Sequence, residues 1–216
     1  MAIELDHIFV CSSPGAPEAD RLLRFGLKEG PSNRHEGQGT ANRRFSFKNA
    51  MLELLWVSDE KEARSDRTRH TLLWERWSAR GSIASPFGVC LRPRDAQTDQ
   101  TIFPGWDYRP SYLPSTVAMH VGEAGLDEPM WIYLDVLTRS QRERHFVEHP
   151  AGIRDITNLV LTCPTPLRSP AARMVVDARV LSTKPGTQHL LEIEFDQSRC
   201  QRVEDFRPQL PLIFKF

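Results

Sequence analysis

The chain has 216 residues, 40% hydrophobic and 26% charged, with 28 Lys+Arg against 28 Asp+Glu and so no formal net charge. That balance belongs to a globular protein of one large domain or two small intertwined modules. It excludes the basic field of a general nucleic-acid or membrane-surface binder, and neither an apolar N-terminal signal region nor a run of ~18 apolar residues is present. Cys11, Cys90, Cys163 and Cys200 form no CxxC pair. Reduced, mostly buried thiols and a cytoplasmic location are therefore expected.

Leu5-Asp6-His7-Ile8-Phe9-Val10-Cys11 reads as a first strand, broken by Ser12-Ser13-Pro14-Gly15. Pro17 opens a helix to about Phe25, with Gly26 as its stop and Ala19, Leu22 and Leu23 as its packing stripe. A weaker strand is expected over 27–34. A polar glycine-bearing loop then leads to a strand ending at Phe47, a turn at Lys48-Asn49-Ala50 and an apolar strand, Met51-Leu52-Glu53-Leu54-Leu55-Trp56. The order to Val57 is β-α-β-β-β.

Residues 58–69 are charged and expected to be exposed, and 71–80 read as a helix with Leu73, Trp74 and Trp77 on one side. Phe87-Gly88-Val89-Cys90-Leu91 is a strand between prolines. Residues 92–115 form a long irregular connection with Trp106, Tyr108 and Tyr112. A loop of that size is often functional, and its aromatics would either cover a pocket or pack on the sheet edge. Further strands are expected at 117–121 and 130–136, then a polar link at 139–144.

Residues 156–163 read as a strand. Ser169 and Pro170 are the N-cap and first position of a helix whose stripe is Ala172, Val175 and Val176. Strands follow near 179–182 and 189–195, with a turn at Lys184-Pro185-Gly186-Thr187 and a docked apolar end around Leu210-Pro211-Leu212-Ile213-Phe214. His-Leu-Leu-Glu-Ile-Glu-Phe near 189–195 echoes Ala-Met-Leu-Glu-Leu-Leu-Trp at 50–56. A repeated unit follows from that echo: module one at about 3–57, an inserted or degenerate segment at 58–150, module two at about 153–196 and a tail at 197–216.

Three segments carry a family resemblance: Leu-Asp-His-Ile-Phe-Val at 5–10, Gly-Gln-Gly-Thr-Ala-Asn-Arg-Arg-Phe-Ser-Phe at 37–47, and Leu-Glu-Leu-Leu-Trp at 52–56. With them the chain resembles the vicinal oxygen chelate superfamily (glyoxalase, bleomycin resistance, dioxygenase), in its glyoxalase-like domain branch. The resemblance implies an α+β fold in which paired βαβββ modules form a half-open curved sheet around a cleft. It also implies a divalent metal held by His and Glu from equivalent strands of both modules, which chelates neighbouring oxygens of a small molecule as a Lewis acid. Imidazoles and carboxylates suit Zn, Fe, Mn, Co or Ni.

Carried onto this sequence, the metal ligands implied are His7, Glu53 and Glu192, with Glu53 and Glu192 also catalytic and Glu194 a rival on the same strand. The second module's histidine position falls on Asn158 or Leu159, neither an imidazole; His120, His149 or His189 would have to substitute. Arg43, Gln38, Asn42 and Trp56 form the implied substrate-binding set.

Each residue also has a plainer role. Glu53, a carboxylate in an apolar strand, needs a partner, and a salt bridge to Arg43 or Arg44 would supply one. Either arginine could instead hold an anionic group. Glu192 alternates with Leu191 and Ile193 as a solvated face would. Gly37-x-Gly39 lacks the helix of a nucleotide loop. The reading is a metal-dependent lyase, isomerase or dioxygenase acting on a small oxygenated molecule. The alternative is a non-catalytic binding protein of the resistance type with a metal-free cleft, which a homodimer would complete.

Overall fold

The computed structural model describes residues 3–94, 102–134 and 146–216. The link at 139–144 and the last two residues of the strand expected at 130–136 lie outside them. The first unit comprises β1 (Ile3–Cys11), α1 (Ala19–Phe25), β2 (Asn33–His35), β3 (Thr40–Ser46) and β4 (Met51–Val57). β4 lies parallel to β1 and antiparallel to β3, which is antiparallel to β2. Gly26 ends α1 at φ 105°, a conformation only glycine takes cheaply. Of the strand expected over 27–34 only β2 forms, because Pro31 has no N–H to offer a ladder.

The short α2 (Glu60–Ala63), capped by Asp59, and α3 (Leu73–Ser78) follow. Then β5 (Phe87–Pro93), β6 (Gly105–Tyr108), β7 (Met119–Gly122) and β8 (Met130–Leu134) repeat the first unit's connectivity. β8 is parallel to β5 and antiparallel to β7, and β7 is antiparallel to β6. β1 and β5 pair antiparallel and join the two fours into one sheet, β2-β3-β4-β1-β5-β8-β7-β6. The sheet curls into a half-barrel, as an α+β protein of paired modules around a cleft requires.

The repeat therefore spans 3–57 and 87–134. The expected second module at 153–196 lies instead in a separate five-stranded sheet. That sheet holds β9 (Ile156–Cys163), β10 (Ser182–Pro185), β11 (Leu190–Phe195), β12 (Val203–Asp205) and β13 (Leu212–Lys215), in the order β10-β9-β11-β13-β12. The echo between 50–56 and 189–195 reflects the alternation of any half-buried strand, whereas the true repeat is one of connectivity. α4 (Pro170–Asp177) starts as expected, with the Ser169 hydroxyl accepting from Ala172 N. The C-terminal segment is docked, β13 running parallel to β11.

Alternation along the strands gives the large sheet two apolar faces. Ile8, Val10, Leu52, Leu54, Val89, Leu91 and Trp131 pack into the main core with Leu22 of α1, Val175 of α4 and Leu159, Ile193 and Phe214 of the second sheet. Phe9, Leu55, Cys90, Met130, Ile132 and Leu134 face the other way, toward Leu73 of α3. The turn at 48–50 fastens the two sheets. Asn49 does not take positive φ; its amide donates to Ile156 O at 2.7 Å and accepts from Ile156 N at 2.9 Å.

Replacing Asn49 by Ala leaves both backbone groups of Ile156 without those partners. The Asn49→Ala protein is expected to lose about 1–3 kcal/mol of stability, read as a lower urea midpoint. An unchanged midpoint would show that this clamp does not hold the sheets together.

Candidate functional site

Strand β1 changes face in its middle. Ile3 and Leu5 contact the main core, and so do Ile8 and Val10, which a regular period of two forbids. The change occurs at a bulge: Leu5 pairs with Leu91 and His7 with Cys90, so Asp6 has no counterpart on β5. Asp6 and His7, neighbours in sequence, consequently project from the same concave face. The Asp6 Oδ2 lies 2.7 Å from His7 Nδ1.

Regular alternation brings two more groups to that face. On β5, Val89 and Leu91 enter the core and Cys90 turns the other way, 1% exposed. On β4, Leu52 and Leu54 enter the core and Glu53 turns out beside His7, 7% exposed. Single ligand atoms of Asp6, His7 and Cys90 all lie within 4.8 Å of one another. Among the described residues Glu53 has neither a hydrogen-bond partner nor an ion pair. The salt bridges expected for it do not form. Arg43 faces away, held by Glu29 at 2.7 Å and Asp20 at 3.2 Å. Arg44 sits across the ladder from Glu53 but gives its Nε to Pro31 O at 2.7 Å.

These groups open on a cavity of about 760 Å³. Its polar end carries Asp6, His7, Glu53, Cys90, His35 and Arg44; Phe9, Leu55, Met119, Met130, Ile132 and Leu134 are among its apolar walls. Residues 109–117 cross one side. The Tyr112 hydroxyl donates to Gln38 Oε1 at 3.4 Å, its ring lies 4.5 Å from the His35 ring, and Ser111 donates to Glu36 O at 2.7 Å. Gly37 takes φ 76°, which favours glycine, and a Cβ there would meet the Ser111 hydroxyl. The aromatics of the 92–115 connection divide: Tyr108 and Tyr112 line the cavity, and Trp106 packs against Tyr108.

The two histidines of the cavity are driven apart. Burial pulls His7 down, but the neighbouring Cys90 sulfur and Glu53 carboxylate outweigh it and raise the pKa to about 9. Burial dominates at His35 and lowers its pKa, with His7 and Arg44 adding to the effect and Glu53 opposing it. His35 Nδ1 meets Thr40 Oγ1 at 2.8 Å, and Gln38 donates to the same oxygen. Burial raises Tyr112 well above an ordinary phenol. At neutral pH the cavity thus holds one imidazolium, one neutral imidazole and a protonated phenol. Such a separation equips a site for both proton donation and acceptance.

Of the residues inferred from sequence, His7, Glu53 and Gln38 meet here. Glu192 does not. It lies on β11 of the second sheet with its carboxylate on Lys184 and on Lys215, the latter at 2.5 Å. Burial raises its pKa, and the two lysines bring the net shift down. Glu194 bonds Thr157 on the same sheet. Trp56 packs on the main core, because three residues from Glu53 is the opposite face. Asn42 is fully buried, its side-chain oxygen accepting from Asn33 N at 2.9 Å. Asn158 and Leu159 belong to β9. His120, His149 and His189 are bonded to Asp107, Lys28 N and Ile83 O and do not line the cavity.

Arg44, one of the two arginines weighed as an anion holder, and Tyr112, one of the loop aromatics weighed as pocket cover, line the cavity, whereas Cys90 and His35 were not selected from sequence. The connectivity repeat identifies Cys90 as the counterpart of His7, since each sits opposite the other on the paired central strands. Glu53 follows by two the β4 residue paired with His7; Leu134 follows by two the β8 residue paired with Cys90. The second unit thus offers a thiol and a hydrocarbon where the resemblance implies histidine and glutamate.

The first unit's pair does fit a divalent ion. Asp6 occupies Nδ1 of His7 and leaves Nε2 available, the carboxylate–histidine arrangement that orients metal-binding imidazoles. Glu53 is a buried, cavity-facing carboxylate with no other cation paired to it among the described residues.

The profile of a family described as glyoxalase-like domain matches residues 5–173, which include both repeated units. No curated protein matches. The crystal structure of a hypothetical protein from Staphylococcus aureus superposes with a TM-score of 0.54 at 12% identity, over 99% of each chain, a likeness of fold.

His7 is expected to titrate near pH 9 in the metal-free protein, as followed by imidazole NMR. Because its folded pKa is raised, the stability it contributes is complete below about pH 6.5 and disappears as pH rises through about 9. Glu53→Gln should lower the midpoint. A His7 midpoint at or below 6.5 would overturn the charge assignment.

Proposed function

The chain belongs to the glyoxalase-like domain family, and from that premise we propose an enzyme that moves protons at the oxygenated end of a small, mostly apolar molecule, with a divalent ion held by His7 and Glu53. The reaction class is that of a lyase or isomerase. One observation carries the reading: at the floor of an apolar cavity, Glu53 lies beside His7 with no hydrogen-bond partner among the described residues. Burying such a group is costly, and an apolar ligand alone would gain nothing from it. That consideration separates the reading from a sequestering protein, for which the apolar walls would suffice.

The residues divide the work. The apolar walls orient the ligand's hydrocarbon part and exclude water, which strengthens electrostatic interactions at the polar end. His35, neutral at physiological pH, is the base that accepts a proton from the ligand. Its Nδ1 is committed to Thr40, which fixes the ring and leaves Nε2 for the task. Arg44 adds positive charge on the same side and favours an oxygen that becomes anionic. When bound, the divalent ion supplies Lewis-acid polarisation of the ligand's oxygens. Asp6 orients His7 without being a ligand itself.

The test is cation binding by the full chain, followed by calorimetry and metal analysis with Zn, Mn, Fe and Ni. One equivalent is expected to bind, with His7→Ala and Glu53→Ala abolishing it. Asp6→Asn should weaken it by about 10–100-fold. Binding should tighten as pH rises toward 9, because the ion displaces the His7 proton. Failure of all four metals to bind would end the metal-assisted reading. A His35→Asn variant that binds the ion normally but no longer exchanges solvent deuterium into an apolar-tailed hydroxyketone would support His35 as the base; undiminished exchange would remove it from that role.

A further inference from the structure

We propose that the cavity's ligand is a carboxylic acid with an aliphatic tail, held by its carboxylate on the Arg44 guanidinium. This names a substrate class for the site of the proposed reaction, and it rests on that reading only in setting the ligand's reacting carbons beside His7 and Glu53.

The first support is an arginine left without an anion. Strand alternation puts Phe45 of β3 in the main core and turns Arg44 and Ser46 to the concave side, where both line the cavity. Arg43, the preceding residue, is neutralised by Glu29 and Asp20. Arg44 has no ion pair among the described residues, although Glu53 lies directly across the ladder. It is half-buried beside apolar walls, where an anionic partner is worth more to it than in water.

The second support is that the guanidinium is held ready. Gly30 N donates to Arg44 O at 2.8 Å, and Arg44 Nε donates to Pro31 O at 2.7 Å. These two bonds clamp the residue to the segment before β2 and fix the plane of the side chain. Nε is committed to Pro31, whereas Nη1 and Nη2 make no hydrogen bond among the described residues. The two terminal nitrogens present parallel N–H groups that match the two oxygens of a carboxylate. The charge of Arg44 reaches both His7 and His35, so a carboxylate here holds its end of the ligand near the polar floor.

The lining decides which anion and which tail. Among the described residues of the cavity wall Arg44 is the one arginine and there is no lysine, while Asp6 and Glu53 contribute two carboxylates. A phosphate dianion would meet too few donors and too much negative charge; a carboxylate needs only the one fork. Beyond the polar floor the walls are hydrocarbon and include Met119 and Met130, whose flexible thioethers adapt to a chain. A volume of about 760 Å³ has room for such a tail.

The experiment titrates octanoate and, separately, 1-octanol into the metal-free full chain at neutral pH by calorimetry. Octanoate is expected to bind at one equivalent and at least about tenfold more tightly than the alcohol, the advantage of charge-assisted hydrogen bonds. Arg44→Gln should remove that advantage and leave 1-octanol binding unchanged, which also shows that the variant is folded. Arg44→Lys, which keeps the charge and loses the fork, should retain only part of it. Carbon-13 NMR of carboxyl-labelled octanoate on the wild type, which needs no variant, should show the bound acid staying ionised to lower pH than the free acid. Equal binding of acid and alcohol, an acid preference that survives Arg44→Gln, or a bound acid that protonates more readily than the free one would overturn the inference and leave the proton-transfer reading standing. Binding of neither probe would overturn it as well. Arg44-dependent octanoate binding by a protein that takes up no metal would uphold the inference and end the metal-assisted reading.

Discussion

The site depends on one extra residue in one strand. Without the bulge at Asp6, the carboxylate and the His7 imidazole would point to opposite faces of the sheet, one toward the apolar core and one toward the cavity. With it, both face the cavity and meet at 2.7 Å. The Asp6–His7 pair fixes which imidazole nitrogen is free. The same shift lets β1 bury Ile3 and Leu5 before the bulge and Ile8 and Val10 after it on the core side. Core packing and site geometry are therefore set by the same irregularity, and neither can be changed alone.

The bulge is useful because of where β1 lies. It is a central strand of a sheet assembled from two units of identical connectivity, with β5 as its antiparallel partner. That arrangement brings residues 83 positions apart, His7 and Cys90, directly opposite one another. The second sheet supports this from behind. Its residues share the main core with the outer face of the large sheet, and Asn49 ties the turn before β4 to the start of β9. Glu192, which the local sequence pattern favoured, belongs to this supporting layer and has a pair of lysines to neutralise it. Among the described residues Glu53 has no such pair of cations.

Electrostatics in the cavity follow from unequal compensation. His7 is half-buried next to a sulfur and a carboxylate and is held positive; His35 is buried beside His7 and Arg44 and is held neutral. The apolar walls keep water from levelling the two. Tyr112 and residues 109–117 close over Gly37, so the neutral histidine and the closing segment form one contact network.

The sequence by itself determined the first unit, its strand order and the placement of His7 and Glu53 on its strands, because these depend on short-range signals: alternation, turn residues and a helix stop. It determined that the protein is α+β with a curved sheet of paired units. Only the tertiary structure decided which segment forms the second unit. Residues 87–134 share connectivity with 3–57 but not side-chain pattern, whereas 189–195 share the pattern and lie in another sheet. Strand alternation is common to every half-buried strand, so it cannot distinguish one sheet from another. Cys90 reached the cavity for the same reason: its place opposite His7 is set by the pairing of β1 with β5, segments distant in the chain.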